Sequence, residues 1–183
     1  MLGSFFILKG SHMFYTTINP STPDLKQVMV YFSTPEIASL YKPEFLKPQT
    51  PGSVACDLIC PEDVTINNVL DSAFINFGIS IKPPTGYYSL IIMRSSTFKK
   101  FGVILCNHIG LIDSDYSGPT DLIGAQIQCT SRRASDSESY ATFIPKGTRI
   151  AQLFIVPMVQ FEFVPQLTHW GDSSRGGFGS TGK

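Results

Sequence analysis

The chain has 183 residues, enough for one domain with a sizeable core. Its 14 basic and 14 acidic residues balance, which argues against a charged track for polymeric nucleic acid. No apolar run approaches the roughly 20 residues that a membrane-spanning helix needs.

Taken in order, the chain begins with a segment that looks foreign. Gly10-Ser11-His12-Met13 reads as the scar of a cleaved expression tag, so residues 1–12 are set aside and a single domain is expected over 13–168, followed by a C-terminal arm over 169–183. Short runs rich in Val, Ile, Phe and Tyr then alternate with Pro, Gly, Asp and Ser clusters: Gln27–Phe32, Phe74–Ile81, Tyr88–Met93, Val103–Ile109, Leu122–Cys129 and Ile150–Pro157. Strands of this length with frequent turn residues predict an all-β sandwich, barrel or jelly roll. One short helix is predicted over Pro35–Tyr41, with Thr34 as N-cap, Pro35 at the first helical position and Glu36 near the positive end of the dipole. Pro-rich Lys42–Ser53 predicts an extended loop, and polar Ser131–Tyr140 an exposed one. The last residues are rich in Gly and Ser, yet Phe178 stands among four glycines, which suits an arm that orders over a ligand.

Four cysteines and no secretory signal pattern lead to an expectation of a reducing compartment, the cytoplasm, or the host cytoplasm or nucleus for a viral protein. Cys56 and Cys60 stand at C-x3-C spacing, but no second His or Cys couple follows at zinc spacing, so free thiols acting as small buried hydrophobes are expected.

The stretch from Asn107 to Gly118 (Asn-His-Ile-Gly-Leu-Ile-Asp-Ser-Asp-Tyr-Ser-Gly) places apolar residues before a tight polar turn that carries two acids and a tyrosine. A β-hairpin presenting Asp113 beside a small pocket is predicted; taken alone, Asp113 and Asp115 also fit plain turn residues. Arg94-Ser95-Ser96 follows an apolar strand. A forked guanidinium and two hydroxyls suit phosphate oxygens, although taken alone a surface arginine with two capping serines fits the segment better.

Five segments in order, Ala55-Cys56-Asp57-Leu58, Arg94-Ser95-Ser96, Asn107–Gly118, Arg149-Ile150-Ala151-Gln152 and Gly176–Gly182, resemble the motifs of the trimeric dUTP pyrophosphatases (dUTPases). The resemblance runs from about Gln27 to the end. It implies a distorted jelly-roll β-barrel subunit with a mobile, glycine-rich C-terminal arm. The implied reaction is Mg²⁺-dependent hydrolysis of dUTP to dUMP and pyrophosphate, by water attack at the α-phosphorus, which keeps uracil out of DNA and supplies dUMP for dTMP synthesis. The implied assembly is a homotrimer whose sites are shared between subunits, with neither a nucleic-acid polymer nor a membrane as partner.

By residue, the resemblance implies Asp113 as general base and Gln152 as the side chain that orients the water or the phosphate chain. Arg94, Ser95 and Ser96 would take the α- and β-phosphates, and Arg175, Ser180 and Thr181 the γ-phosphate. Asn107, Gly110 and Ile112 would read the uracil edge, Tyr116 would pack under the deoxyribose, and Phe178 would stack on the base. Asp57 would either meet waters around Mg²⁺ or brace Arg149. The arm departs from the family pattern: Ser173 holds the usual arginine position and Arg175 is displaced by two. A dCTP deaminase relative is a second reading, opposed by the absence of Glu from Asp121–Gln128. A non-catalytic dUTP-binding regulator is a third.

Overall fold

The computed structural model describes residues 5–9, 12–16, 26–131, 141–169 and 171. Its elements are overwhelmingly strands, and every strand pairing is antiparallel. In chain order they are β1 (Phe5–Lys9), β2 (His12–Thr16), β3 (Met29–Phe32), α1 (Pro35–Leu40), a 3-10 turn (Pro43–Leu46), β4 (Ala55–Ile59), β5 (Val64–Ile66), β6 (Ser72–Asn76), β7 (Ile79–Lys82), β8 (Tyr87–Met93), α2 (Thr97–Phe101), β9 (Val103–Leu105), β10 (Gly110–Ile112), β11 (Gly124–Cys129), β12 (Thr142–Ile144) and β13 (Arg149–Pro157). A four-stranded sheet in the order β10-β8-β13-β4 faces a three-stranded sheet, β6-β11-β9, and the short pairs β12-β5 and β3-β7 complete the jelly-roll-like subunit. β1 and β2 pair with each other across the predicted tag boundary.

The long strands arise where apolar runs are bounded by turn residues. β13 is the central rib, hydrogen-bonded to β8 on one side and β4 on the other. Its buried Ile150, Ala151 and Leu153 meet Leu58, Ile91, Phe77 and Ile127 in one core, closed to water by Ile123 and Ile144. Burying each of the Leu, Ile and Phe side chains contributes roughly 1.5–3 kcal/mol.

The helix α1 begins as its sequence dictates. Thr34 is extended and its hydroxyl accepts the Ile37 N–H at 3.2 Å, with Pro35 leading the first turn. Below it, Tyr41 is buried, its hydroxyl accepting the Ile59 N–H at 3.3 Å, and burial pushes that phenol well above its usual range. Lys42–Ser53 is not wholly extended: Pro43 starts a 3-10 turn that carries Phe45 toward β4.

Two further predictions need correction. The apolar run Phe74–Ile81 is not one strand. Gly78, at φ 69°, turns the chain between β6 and β7, and a Cβ there would lie 2.9 Å from Ile37. Nor does Asn107–Gly118 form a self-paired hairpin. β10 pairs with β8, while β11, beyond the polar turn, pairs with β6 and β9. Gly110 permits this choice by letting β10 close on Ile91, where an added Cβ would stand 3.2 Å from the Ile91 Cβ. Among the described residues no helix is long and apolar enough to cross a membrane.

Candidate active site

Asp57 is the hub of one cluster. It sits on β4 directly across from Gln152 on β13, and Gln152 in turn faces Ile92 on β8. Its side chain is only 3% exposed. Arg94 Nε lies 2.9 Å from one carboxylate oxygen, as a charge contact without a directed hydrogen bond. Arg149 Nη1 donates to the other oxygen at 3.0 Å, and Gln152 Nε2 approaches the first at 3.4 Å. Arg94 also donates to the Arg149 carbonyl at 3.3 Å. Of the two expectations for Asp57, bracing is the one that the geometry supports, and it braces both arginines. A nearly dry carboxylate with a cation on each oxygen suits an anchor for positive charge aimed at an anion.

The Arg94 segment is a turn fixed to β13. The Thr97 N–H donates to the Arg94 carbonyl at 2.9 Å, so Ser95 and Ser96 occupy the central positions. Arg94 N–H and the buried Thr97 hydroxyl both donate to the Ile150 carbonyl, at 3.3 and 2.6 Å. Ser95 is exposed and Ser96 half-buried, beside the start of α2. Lys99 and Lys100 lie in the last turn of α2, where the dipole favours cations, and Gly102 ends it at φ 65°.

The second cluster surrounds Asp113, which follows β10. The Tyr116 N–H donates to the Asp113 carbonyl at 3.2 Å, and Asp121 closes the loop by accepting the Gly118 N–H at 2.7 Å. Phe74, Leu111, Ile112, Asp113, Tyr116 and Gly124 line an open groove of about 230 Å³. Local sequence gave no sign of Phe74. It is 57% exposed and rests on Gly124, where a Cβ would meet its ring at 2.2 Å. Asn107 is exposed in the turn between β9 and β10, and His108 beside it takes a left-handed φ of 62°, the Ile109 N–H reaching back to the Asn107 carbonyl at 2.6 Å.

These clusters do not meet within one chain. Ile112 pairs with Ser89, which sets Asp113 level with Tyr88; Arg94 lies six positions further along the same strand direction. At about 3.3 Å per residue the separation is about 20 Å along the sheet alone.

The thiols divide. All four are free, and of the Cys56 and Cys60 pair expected to pack as small hydrophobes, Cys60 is buried and Cys56 half-buried; Cys129 is buried as well and Cys106 is exposed. Burial, with the Asp57 charge adding to it, pushes the Cys56 thiol up to about 11; burial does the same for Cys60. Arg175, Phe178, Ser180 and Thr181 lie outside the described residues, as do residues 132–140.

The dUTPase family profile matches residues 42–182, a span that contains all five motif segments. The chain belongs to the dUTPase family. A deoxyuridine 5'-triphosphate nucleotidohydrolase of Hydrogenobaculum sp. is 37% identical over 135 residues, covering 73% of this chain and 86% of that protein. The Shewanella baltica enzyme of the same name is 40% identical over 138 residues, covering 73% and 83%. Among solved structures, the dUTPase of Staphylococcus bacteriophage 80alpha with dUPNHPP is similar at a TM-score of 0.68 and 24% identity, covering 86% of this chain and 99% of that one. A dUTPase mutant from phage phi11 of S. aureus, described with a structural Mg(II) ion, gives a TM-score of 0.62 at 20% identity, covering 79% and 99%. These structural likenesses speak to the fold, and they agree with the dUTPase assignment made from the sequence relatives.

Proposed function

We propose that this dUTPase-family chain hydrolyses dUTP to dUMP and pyrophosphate at a site assembled from more than one subunit. The observation that carries this reading is the family match over residues 42–182, which spans every motif segment. Asp113 acts as general base, its carboxylate exposed at the rim of the groove where a water can reach it. Arg94, with Ser95 and Ser96, takes the α- and β-phosphates and stabilises the charge that grows as water attacks the α-phosphorus. Gln152, held beside Asp57, orients the phosphate chain or the water. The uracil and deoxyribose enter the groove that Ile112 and Tyr116 line, with Tyr116 against the sugar and Asn107, Gly110 and Ile112 reading the uracil edge. Arg175, Phe178, Ser180 and Thr181 of the arm close over the nucleotide.

Shared sites are supported by the gap of about 20 Å between Asp113 and Arg94 within one chain. They are supported also by the segment after β13, where Val159, Phe161, Phe163, Val164 and Leu167 are all exposed, an apolar run that a partner subunit would cover. A homotrimer, the assembly that the family resemblance implies, accommodates both.

The described residues do not fit a protein-built Mg²⁺ cage. Both Asp57 oxygens face arginines, and among the described residues no group of three or more His, Cys, Asp or Glu side chains comes together. Mg²⁺ therefore enters as part of the substrate, carried by the triphosphate and screening its charge.

The test is pyrophosphate release with Mg²⁺ from dUTP, dCTP, dTTP and UTP in parallel. Release from dUTP alone is expected. Ammonia from dCTP would move the chain to the deaminase branch, and inertness toward all four would leave a binder.

A further inference from the structure

The 3-10 turn before β4 brings an aromatic ring to the arginine cluster. Arg149 Cζ stands 5.2 Å from the centroid of the Phe45 ring, and Lys42 Nζ stands 6.0 Å from it. Arg149 is thus fixed from two directions: Asp57 holds one end of its fork at 3.0 Å, and Phe45 lies against its face. Its side chain nevertheless remains 39% exposed. A guanidinium carries five N–H donors, and one carboxylate oxygen cannot occupy them all. Arg94 and Arg149 share the one carboxylate of Asp57, and Lys42 brings a third cation to the Phe45 ring.

We propose that Lys42 and Arg149, gathered over Phe45, bind the terminal end of the substrate's phosphate chain; this rests on the dUTP reading above. Arg149 touches the phosphate, Lys42 adds a point charge and Phe45 is a positioning residue. The chemistry that fits is a phosphate oxyanion, since a planar fork matches two oxygens and an ammonium needs no fixed angle. Direction follows from adjacency. Arg94 and Arg149 share one carboxylate, with the Arg94-Ser95-Ser96 turn on the Arg94 side and Lys42 beyond Arg149. A phosphate chain that starts at the serines therefore ends over Phe45.

The test compares wild type with Phe45→Ala, Phe45→Tyr, Phe45→Leu and Lys42→Glu. It measures dUTP turnover with Mg²⁺ and the binding of deoxyuridine, dUMP and dUDP, with thermal melting as a folding control. Losing a partly exposed cation–ring contact corresponds to about a threefold rise in KM for dUTP. That rise is expected for Phe45→Ala and Phe45→Leu, with kcat nearly unchanged, affinity for deoxyuridine and dUMP unchanged, and recovery in Phe45→Tyr. Lys42→Glu, a surface change, raises the KM with no loss of melting temperature. An unchanged KM in both Phe45→Ala and Lys42→Glu overturns the inference. So does equal weakening for deoxyuridine and dUTP, which would place Phe45 at the nucleoside end. A wild-type protein that leaves dUTP intact overturns the underlying dUTP reading instead.

Discussion

Gln152 stands directly across from Asp57 on the β13–β4 ladder, its amide nitrogen 3.4 Å from the carboxylate. The amide is a neutral donor in a position where a second acid would repel. Gln152→Glu is therefore expected to damage the arginine clamp more than Gln152→Ala does. Asp57→Asn removes the charge that both arginines face. Because those arginines are partly exposed, the stability loss falls below that of a fully buried pair, at about 2 kcal/mol. Denaturant unfolding and the KM for dUTP are the measurements. Unchanged values in Asp57→Asn would show that the ion pairs are incidental.

Asp113→Asn keeps the shape of the groove and removes the base. Turnover should fall by roughly 10²–10⁴, the contribution of a positioned general base, while dUTP still binds. Single-turnover kinetics and equilibrium binding separate the two effects. Lost binding in a folded variant would mean that Asp113 holds substrate rather than activating water.

Gly124→Ala pushes a methyl group into Phe74. With contacts of 2.2 Å to the ring and 2.8 Å to the Ile75 carbonyl, the ring must swing away. Overpacking of this kind costs about 1–3 kcal/mol. Since Phe74 borders the groove beside Asp113 and Tyr116, the KM for dUTP should rise as well. A double change with Phe74→Ala removes the clash and should recover stability; the absence of recovery would place the cost in the backbone at Ile75.

The thiols give a pH signature. Cys56 and Cys60 move from an ordinary value of 9.0 to about 11 on folding. The folded protein therefore holds these protons more tightly than the unfolded chain. The stability this lends is fully present below about pH 9 and is lost as the pH rises through about 11. Labelling at pH 8 should modify exposed Cys106 first and leave Cys56 and Cys60 largely untouched, as mass spectrometry of the intact protein would show. Fast modification of Cys60 would mean that β4 opens readily.

Local signals and their outcomes divide along clear physical lines. Thr34, Pro35 and the run after them specified α1 almost to the residue, because a helix start is settled by contacts within four positions. β8 and β13 matched their apolar runs to within one residue at the N-terminal end for the same reason. Strand partnership is another matter. The residues around Asp113 looked like a hairpin, yet the missing Cβ of Gly110 allows Ile91 to claim β10, and nothing in the local pattern carries that choice. The chemistry of Asp57, Arg94 and Gln152 was legible from residue type and motif. Their meeting was not, since it depends on the registers of β4, β8 and β13. Phe45 and Phe74 read simply as apolar residues until the fold set one against Arg149 and the other over Gly124.

The separation of Asp113 from Arg94 along β8 makes catalysis a collective property. On the shared-site reading, a lone subunit owns every part and completes nothing, so specific activity falls as the protein is diluted below its assembly range. Two preparations that are each inert, one without Asp113 and the other without Arg94, would revive one another when subunits exchange, because some mixed interfaces would bring an intact base to an intact phosphate grip.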